Sequence, residues 1–219
     1  MSSEKGVRPL FPPLYAIADA DAAAAAGWTL VDLASAFLAG GATLVQLRAK
    51  HAASGWMLDA ASRIVERAHA AGAAVIVNDR ADIARLSGAD GVHLGQDDLR
   101  PASARAIVGD AAVVGWSTHT AGQMDAALAE PISYFAIGPV FGTATKDTGY
   151  DAVGLERVRD AARRARTRSL PLVAIGGITL DTAPGVIAAG AASVAVIGDL
   201  LAGNDPECRV RLYLERLSR

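Results

Sequence analysis

The 219-residue sequence predicts a single α/β domain, a (β/α)8 TIM barrel spanning residues 1–219. Three observations predict it together. Eight short β-rich runs recur between Ala-rich helical stretches. Their near-continuous apolar character suits parallel strands covered on both faces. One helix-to-strand joint also repeats four times: GGATLV (40–45), AGAAVI (71–76), SGADGV (87–92) and AGAASV (189–194). In each, Gly follows a helix, Ala comes next and a strand begins. Gly supplies the left-handed residue that turns the chain back to the sheet. The competing architecture is an open doubly wound sheet. The strand count of eight, and the absence of G-x-G-x-x-G after the first strand, favour the barrel.

In chain order, the start MSSEKGVRPLFPP lacks the apolar stretch of a signal peptide, and residues 1–12 read as a loose arm. Strand one is LYAIAD (14–19), followed by a helix at 29–39. Strand two is TLVQLR (43–48). The helix at 56–71 has Ile64, Val65 and Ala68 at helical spacing. Strand three is AVIVND (74–79). A two-turn helix at 81–87 is all that fits before strand four, GVHLG (91–95). A helix at 101–108 leads to strand five, VVGWS (113–117). Thr120 and Gln123 form a capping-box pattern opening a helix at 120–129. Strand six is YFAIGP (134–139), and a long polar loop separates it from a helix at 154–168. Strand seven, LVAIGG (172–177), a helix at 179–189, strand eight, SVAVIG (193–198), and a helix at 205–217 complete the series.

Composition narrows the function. With 21 basic and 23 acidic residues the net charge is −2, and neither a basic excess nor a charged tail points to nucleic acid. The one cysteine, Cys208, leaves no disulfide framework and no Cys-based zinc site, and fits a reduced cytosol. No apolar run approaches the roughly 20 residues that span a bilayer. A soluble cytoplasmic protein acting on small molecules is expected, and a homodimer is the base-rate assembly.

In a barrel of this kind chemistry sits at the C-terminal strand ends, and the polar residues cluster there. Gln46, Arg48 and Lys50 alternate at the end of strand two, so one face carries an amide and two cations, a set suited to a pyrophosphate or another dense anion. Asn78 and Asp79 end strand three, and Asp98 follows strand four in GQDDL. Two carboxylates on adjacent strands suit a hard cation, Mg2+, shared with substrate phosphate, although either could instead cap the helix that follows. Asp97 reads as a capping or solvated acid. Ser117 ends strand five as a site or capping residue. His119 reads as a solvated turn residue, and His93 as either an interior hydrogen-bonded histidine or a site residue. After strand six, Thr143, Thr145 and Lys146 bring two hydroxyls and an ammonium together in a lid-like loop. Gly176-Gly177 and Ile197-Gly198 end strands seven and eight, where many such barrels bind phosphate through backbone N–H groups. Two anion sites at one mouth suggest a reaction joining a diphosphate to a phosphorylated acceptor.

The ordered motifs GGATLVQLRAK, VNDRADIA, GADGVHLGQDDL, GWSTHT, GPVFGTATKDT and AIGGI, running from 14–19 to 195–200, resemble the thiamine phosphate synthase family. The resemblance implies a TIM barrel that couples hydroxymethylpyrimidine diphosphate to a thiazole phosphate, gives thiamine phosphate and pyrophosphate, and requires Mg2+. Gln46, Arg48 and Lys50 match the family's pyrimidine-diphosphate motif, and Asn78 a further contact to that substrate. Asp79 and Asp98 match the magnesium ligands, and Ser117 and Lys146 the diphosphate contacts. Thr143, Thr145, Gly177, Ile197 and Gly198 match the contacts to the thiazole phosphate. Arg48, Lys50, Ser117 and Lys146 are then the catalytic group, stabilising the departing pyrophosphate without a protein nucleophile. The chain departs from the family at Ala49, where an acid is usual, at Gly142 for Pro, and at Gly198 for Ser. A thiazole tautomerase on the same barrel, using His119, is one alternative. A catalytically silent phosphate-binding barrel is another. A sugar-phosphate epimerase rests on the glycines of strands seven and eight alone.

Overall fold

The computed structural model describes residues 11–142 and 151–218. Eight parallel strands close into a barrel in chain order: β1 (Leu14–Asp19), β2 (Leu44–Arg48), β3 (Ala74–Asn78), β4 (Gly91–Leu94), β5 (Val113–Thr118), β6 (Tyr134–Ile137), β7 (Leu172–Ile175) and β8 (Ser193–Val196). β1 and β8 pair to complete the ring, with Leu14 opposite Val194. The helices around it are α1 (Ala20–Ala25), α2 (Leu30–Ala39), α3 (Ser54–Ala70), α4 (Ala81–Ser87), α5 (Pro101–Val108), α6 (Ala121–Ala129), α7 (Gly154–Arg166), α8 (Ala183–Ala188) and α9 (Pro206–Leu217). Among the described residues no helix is long and apolar enough to cross a membrane.

Strand alternation divides the interior in two. Val45, Leu47, Val75, Val77, Val92 and Trp116 face outward into the layer beneath the helices. Tyr15, Ile17, Leu44, Ile76, Tyr134 and Val173 face inward and fill the barrel. The strands are apolar on both faces for this reason, and polarity enters mainly toward their C-terminal ends, with Ser193 at the start of β8 an exception. The four Gly joints behave as their sequence suggests: Gly41, Gly72, Gly88 and Gly190 all have positive φ, between 69° and 107°.

Several boundaries differ from expectation. α1 was not expected. The Asp19 side chain accepts the Ala22 N–H at 2.9 Å and starts it, so an Ala run that reads as a loop becomes a turn and a half of helix. The helix expected at 179–189 is confined to α8. Thr179 and Thr182 bond each other's backbone, Thr179 N–H to Thr182 Oγ1 at 2.9 Å, in competition with helical pairing. A 3-10 segment, Gly198–Asn204, follows β8. Within the span expected as an arm, 1–12, Phe11 is buried and packs on Tyr134 at 4.7 Å between ring centroids. Residues 1–10 lie outside the described residues.

Candidate active site

A cavity of about 450 Å3 opens at the C-terminal end of the barrel. Gln46, Arg48, Lys50, Asn78, Asp79 and Ser117 line one part of its wall. Gly177, Ile197 and Gly198 line another. Thus nine of the residues singled out by sequence share one cavity, and Asp98 adjoins it through Asp79. Thr143, Thr145 and Lys146 lie outside the described residues. Gly142, the last described residue before them, lines the cavity.

On the basic side, β2 ends at Arg48, so Lys50 stands in the turn beyond and does not extend the strand face. Arg48 donates to Asp19, its neighbour in the β1–β2 register, and both side chains are nearly buried. Asp19 escaped the sequence reading. It ends strand one, so the rule that selected the other mouth residues would have found it. Ala49 is buried against the outer core and does not line the cavity, so that departure from the family pattern leaves the wall intact.

The acids meet as expected, but neither caps a helix. Asp79 adopts φ +64°, and the Arg80 N–H donates back to the Asn78 carbonyl at 2.8 Å. A left-handed non-Gly residue is costly, and Asp is among the few that tolerate it. The tight turn brings the Asp79 carboxyl beside that of Asp98. Asp98 also accepts the Gly95 N–H at 2.7 Å. Burial, then the neighbouring Asp98, push the Asp79 carboxyl up to about 6, against the pull of Lys50, whose Nζ lies 3.4 Å away. Two acids forced together in this way suit a cation between them. Among the described residues no group of three or more His, Cys, Asp or Glu side chains could hold a metal. The two carboxylates alone would fit a hard cation that takes its remaining oxygens from substrate and water.

Among the apolar side chains that fill the barrel below the cavity lies a set of polar groups. The Gln46 Nε2 donates to the Tyr15 hydroxyl at 2.8 Å, and Tyr15 meets the Tyr134 hydroxyl at 3.3 Å. His93 bonds Tyr134 through Nδ1 and Ser117 through Nε2, each at 2.8 Å. His93 is an interior hydrogen-bonded histidine, and its ring also lines the cavity, so the two readings of it do not exclude each other. His119 is no solvated turn residue: its Nδ1 bonds the Gly138 carbonyl at 2.6 Å and its ring lines the cavity. Thr120 and Gln123 do form the capping box. Tyr15 and Tyr134 were unreadable as site residues. In sequence they are core aromatics, and only the register brings their hydroxyls together.

On the far side, Gly176 and Gly177 have φ of +102° and +62°. The Val140 and Phe141 N–H groups donate to the Ile175 and Gly176 carbonyls at 2.9 and 3.0 Å, so the chain after β6 runs along the exit of β7. A Cβ on Gly177 would lie 2.4 Å from the Gly142 carbonyl oxygen. Below Gly198, Asp199 receives the Leu180 N–H, the Tyr213 hydroxyl and two bonds from Arg209. It ties the segments after β7 and β8 to α9.

A (β/α)8 barrel with paired acids and two cations on one wall, and open glycine backbone on the other, defines a barrel enzyme that handles phosphorylated small molecules. Comparison with known proteins is specific. The family described as thiamine monophosphate synthase matches residues 14–200, and the chain belongs to it. It is 45% identical over 208 residues to a thiamine-phosphate synthase of Koribacter versatilis (strain Ellin345), covering 94% of this chain and 96% of the relative. It is 43% identical over 189 residues to a thiamine-phosphate synthase of Synechococcus sp. (strain WH7803), covering 86% of this chain but 52% of that one, so it spans about half the length of that relative. Among solved structures, thiamine phosphate pyrophosphorylase from Pyrococcus furiosus superposes with a TM-score of 0.85 at 27% identity, covering 97% of this chain and 98% of its own. Members of the family are transferases of thiamine biosynthesis.

Proposed function

We propose that the chain condenses 4-amino-2-methyl-5-hydroxymethylpyrimidine diphosphate with a thiazole phosphate, forming thiamine phosphate and releasing pyrophosphate. The observation that carries this reading is the two-sided cavity. Arg48, Lys50, Asn78 and Ser117 stand on one side beside the Asp79–Asp98 pair, and the Gly177 and Gly198 backbones stand on the other.

Asp79 and Asp98 would hold Mg2+. When bound, Mg2+ draws charge from the departing diphosphate oxygens. Arg48 and Lys50 add fixed positive charge where negative charge develops, and the family pattern assigns Lys146 the same task. Asp19 holds the Arg48 guanidinium in place before substrate arrives. Ser117 offers a hydroxyl to the diphosphate. The bond from the pyrimidine methylene carbon to the diphosphate oxygen breaks, and its electron pair leaves with pyrophosphate. The thiazole nitrogen lone pair then forms the new C–N bond. No protein nucleophile or general base is needed. On the opposite wall, backbone N–H groups near Gly177, Ile197 and Gly198 would receive the thiazole phosphate, with Thr143 and Thr145 assigned to it by the family pattern. The same reading fits a cytoplasmic protein, and a homodimer is its base-rate assembly.

The test is direct: purified protein, both substrates and Mg2+, with thiamine phosphate and pyrophosphate measured together. Equal amounts of the two products are expected. No product at any Mg2+ concentration would sink the reading. A thiazole tautomerase is the second reading, favoured by His119 on the cavity wall. It predicts thiazole isomerisation without metal and leaves Arg48, Lys50, Asp79 and Asp98 without a task.

A further inference from the structure

We infer that His93 and Tyr134 are positioning residues for the pyrimidine-diphosphate site, orienting Gln46 and Ser117 together through one directed chain of hydrogen bonds across the barrel. The inference rests on the substrate-facing roles proposed above for those two end residues.

The chain joins five strands. It runs from Gln46 on β2 to Tyr15 on β1, Tyr134 on β6, His93 on β4 and Ser117 on β5. Its first link has a fixed donor, and the direction of the remaining links is part of the inference. An amide N–H only donates, so the Gln46 Nε2 gives its hydrogen to the Tyr15 oxygen. In the inferred direction the Tyr15 O–H donates to Tyr134 and the Tyr134 O–H to His93 Nδ1, both links in which either partner can give the hydrogen. A neutral imidazole that accepts at Nδ1 carries its proton on Nε2. That Nε2–H donates to Ser117 Oγ, and the Ser117 O–H is turned away from His93, as a donor for an anion in the cavity.

The links are held by packing. Tyr134 is wholly buried and Tyr15 nearly so. The His93 and Tyr134 rings stack with centroids 5.5 Å apart and planes 22° apart. A Cβ on Gly115 would lie 2.4 Å from the Tyr134 hydroxyl oxygen, so the glycine of GWSTHT leaves that hydroxyl room to reach His93. Burial drives both tyrosines well above their ordinary pKa, so both stay protonated donors at neutral pH. A hydrogen-bonded chain in a low-dielectric interior polarises along its length, so a break at one end is felt at the other.

Two measurements test this. Multiple-bond 1H–15N NMR of the imidazole in ligand-free protein, assigned with His93→Gln, is expected to show a neutral ring protonated at Nε2 at pH 7. An Nδ1-protonated ring or an imidazolium would overturn the direction of the chain. Calorimetric binding of the pyrimidine diphosphate is expected to weaken about tenfold in Tyr134→Phe, the scale of one hydrogen bond. In a Ser117→Ala background the same change is expected to cost less than about twofold, because the oriented group is already gone. A merely structural role for Tyr134 gives equal losses in both backgrounds, and that result overturns the inference. Should Tyr134→Phe fail to fold, Tyr15→Phe breaks the chain one link earlier and is read in the same way. Coupled binding without turnover defeats the proposed function alone. Turnover without coupling defeats this inference alone.

Discussion

Asp19 and Arg48 sit directly opposite each other in the β1–β2 register, and the Asp19 carboxylate both anchors the Arg48 guanidinium and caps α1. One acid thereby fixes a cation at the mouth and the helix that leaves beside it. Side-chain exposures of 4% and 12% place the pair largely out of water, where losing one partner strands the other.

Asp19→Ala is expected to destabilise the protein by on the order of 3 kcal/mol, from the stranded guanidinium with a smaller share from the lost cap. Asp19→Asn retains a capping oxygen and is expected to lose less. Urea denaturation checks both. A loss below about 1 kcal/mol for Asp19→Ala would show that Arg48 does not depend on this partner.

Asp79→Asn and Lys146→Ala are each expected to lower turnover by at least ~100-fold with the fold intact, since each removes a charge worth a few kcal/mol in the transition state. Asn tolerates the left-handed backbone at position 79, so the first change is conservative in conformation. Steady-state rates with circular dichroism decide it. Near-normal turnover in either variant refutes that residue's role.

The Asp79 carboxyl also sets a pH dependence for metal-free protein. Its folded pKa, about 6, lies above the ordinary 3.8, so the folded state favours the protonated form. That contribution is complete below pH 3.8 and is lost as pH rises through 6. Asp79→Asn, neutral throughout, is therefore expected to gain stability relative to wild type between pH 5 and pH 7.5. Thermal melts in chelator at both pH values measure the difference. A gap that does not widen with pH contradicts the acid-pair account.

Gly177→Ala tests the opposite wall. The new Cβ would press on the Gly142 carbonyl at a left-handed backbone position, so the segment after β6 must shift. The KM for the thiazole phosphate is expected to rise about tenfold, with that for the pyrimidine diphosphate little changed and the melting point lower by about 5 °C. Equal effects on both KM values would mean that the glycine serves the fold rather than this wall.

The barrel and most of its mouth were legible in the sequence because both follow from short-range rules. Strand runs, Gly joints and polar strand ends are local patterns, and they placed Gln46, Arg48, Asn78 and Ser117 on the correct strands, with Asp79 one residue past the end of β3. Asp19 was equally local and was passed over because LYAIAD reads as a core strand with one terminal acid. The hydroxyls of Tyr15 and Tyr134 were beyond such rules. They are 119 positions apart and meet only after the sheet has closed. The left-handed turn at Asp79 was hidden for a similar reason: nothing in VNDRADIA separates an acid that caps a helix from one that bends the chain toward Asp98.

The pairing of β1 with β8 has a consequence for how the molecule is made. Leu14 waits for Val194, some 180 positions later, and loop-closure entropy makes so distant a pairing slow and late. On the ribosome, a chain lacking its last strand has Gln46, Arg48 and Asp79 already synthesised but no ring around them. The opposite wall, at Ile197 and Gly198, emerges after all of them. Competence to hold both phosphates thus arrives in one late event during synthesis, and an unfinished chain has no two-sided cup in which to trap either substrate.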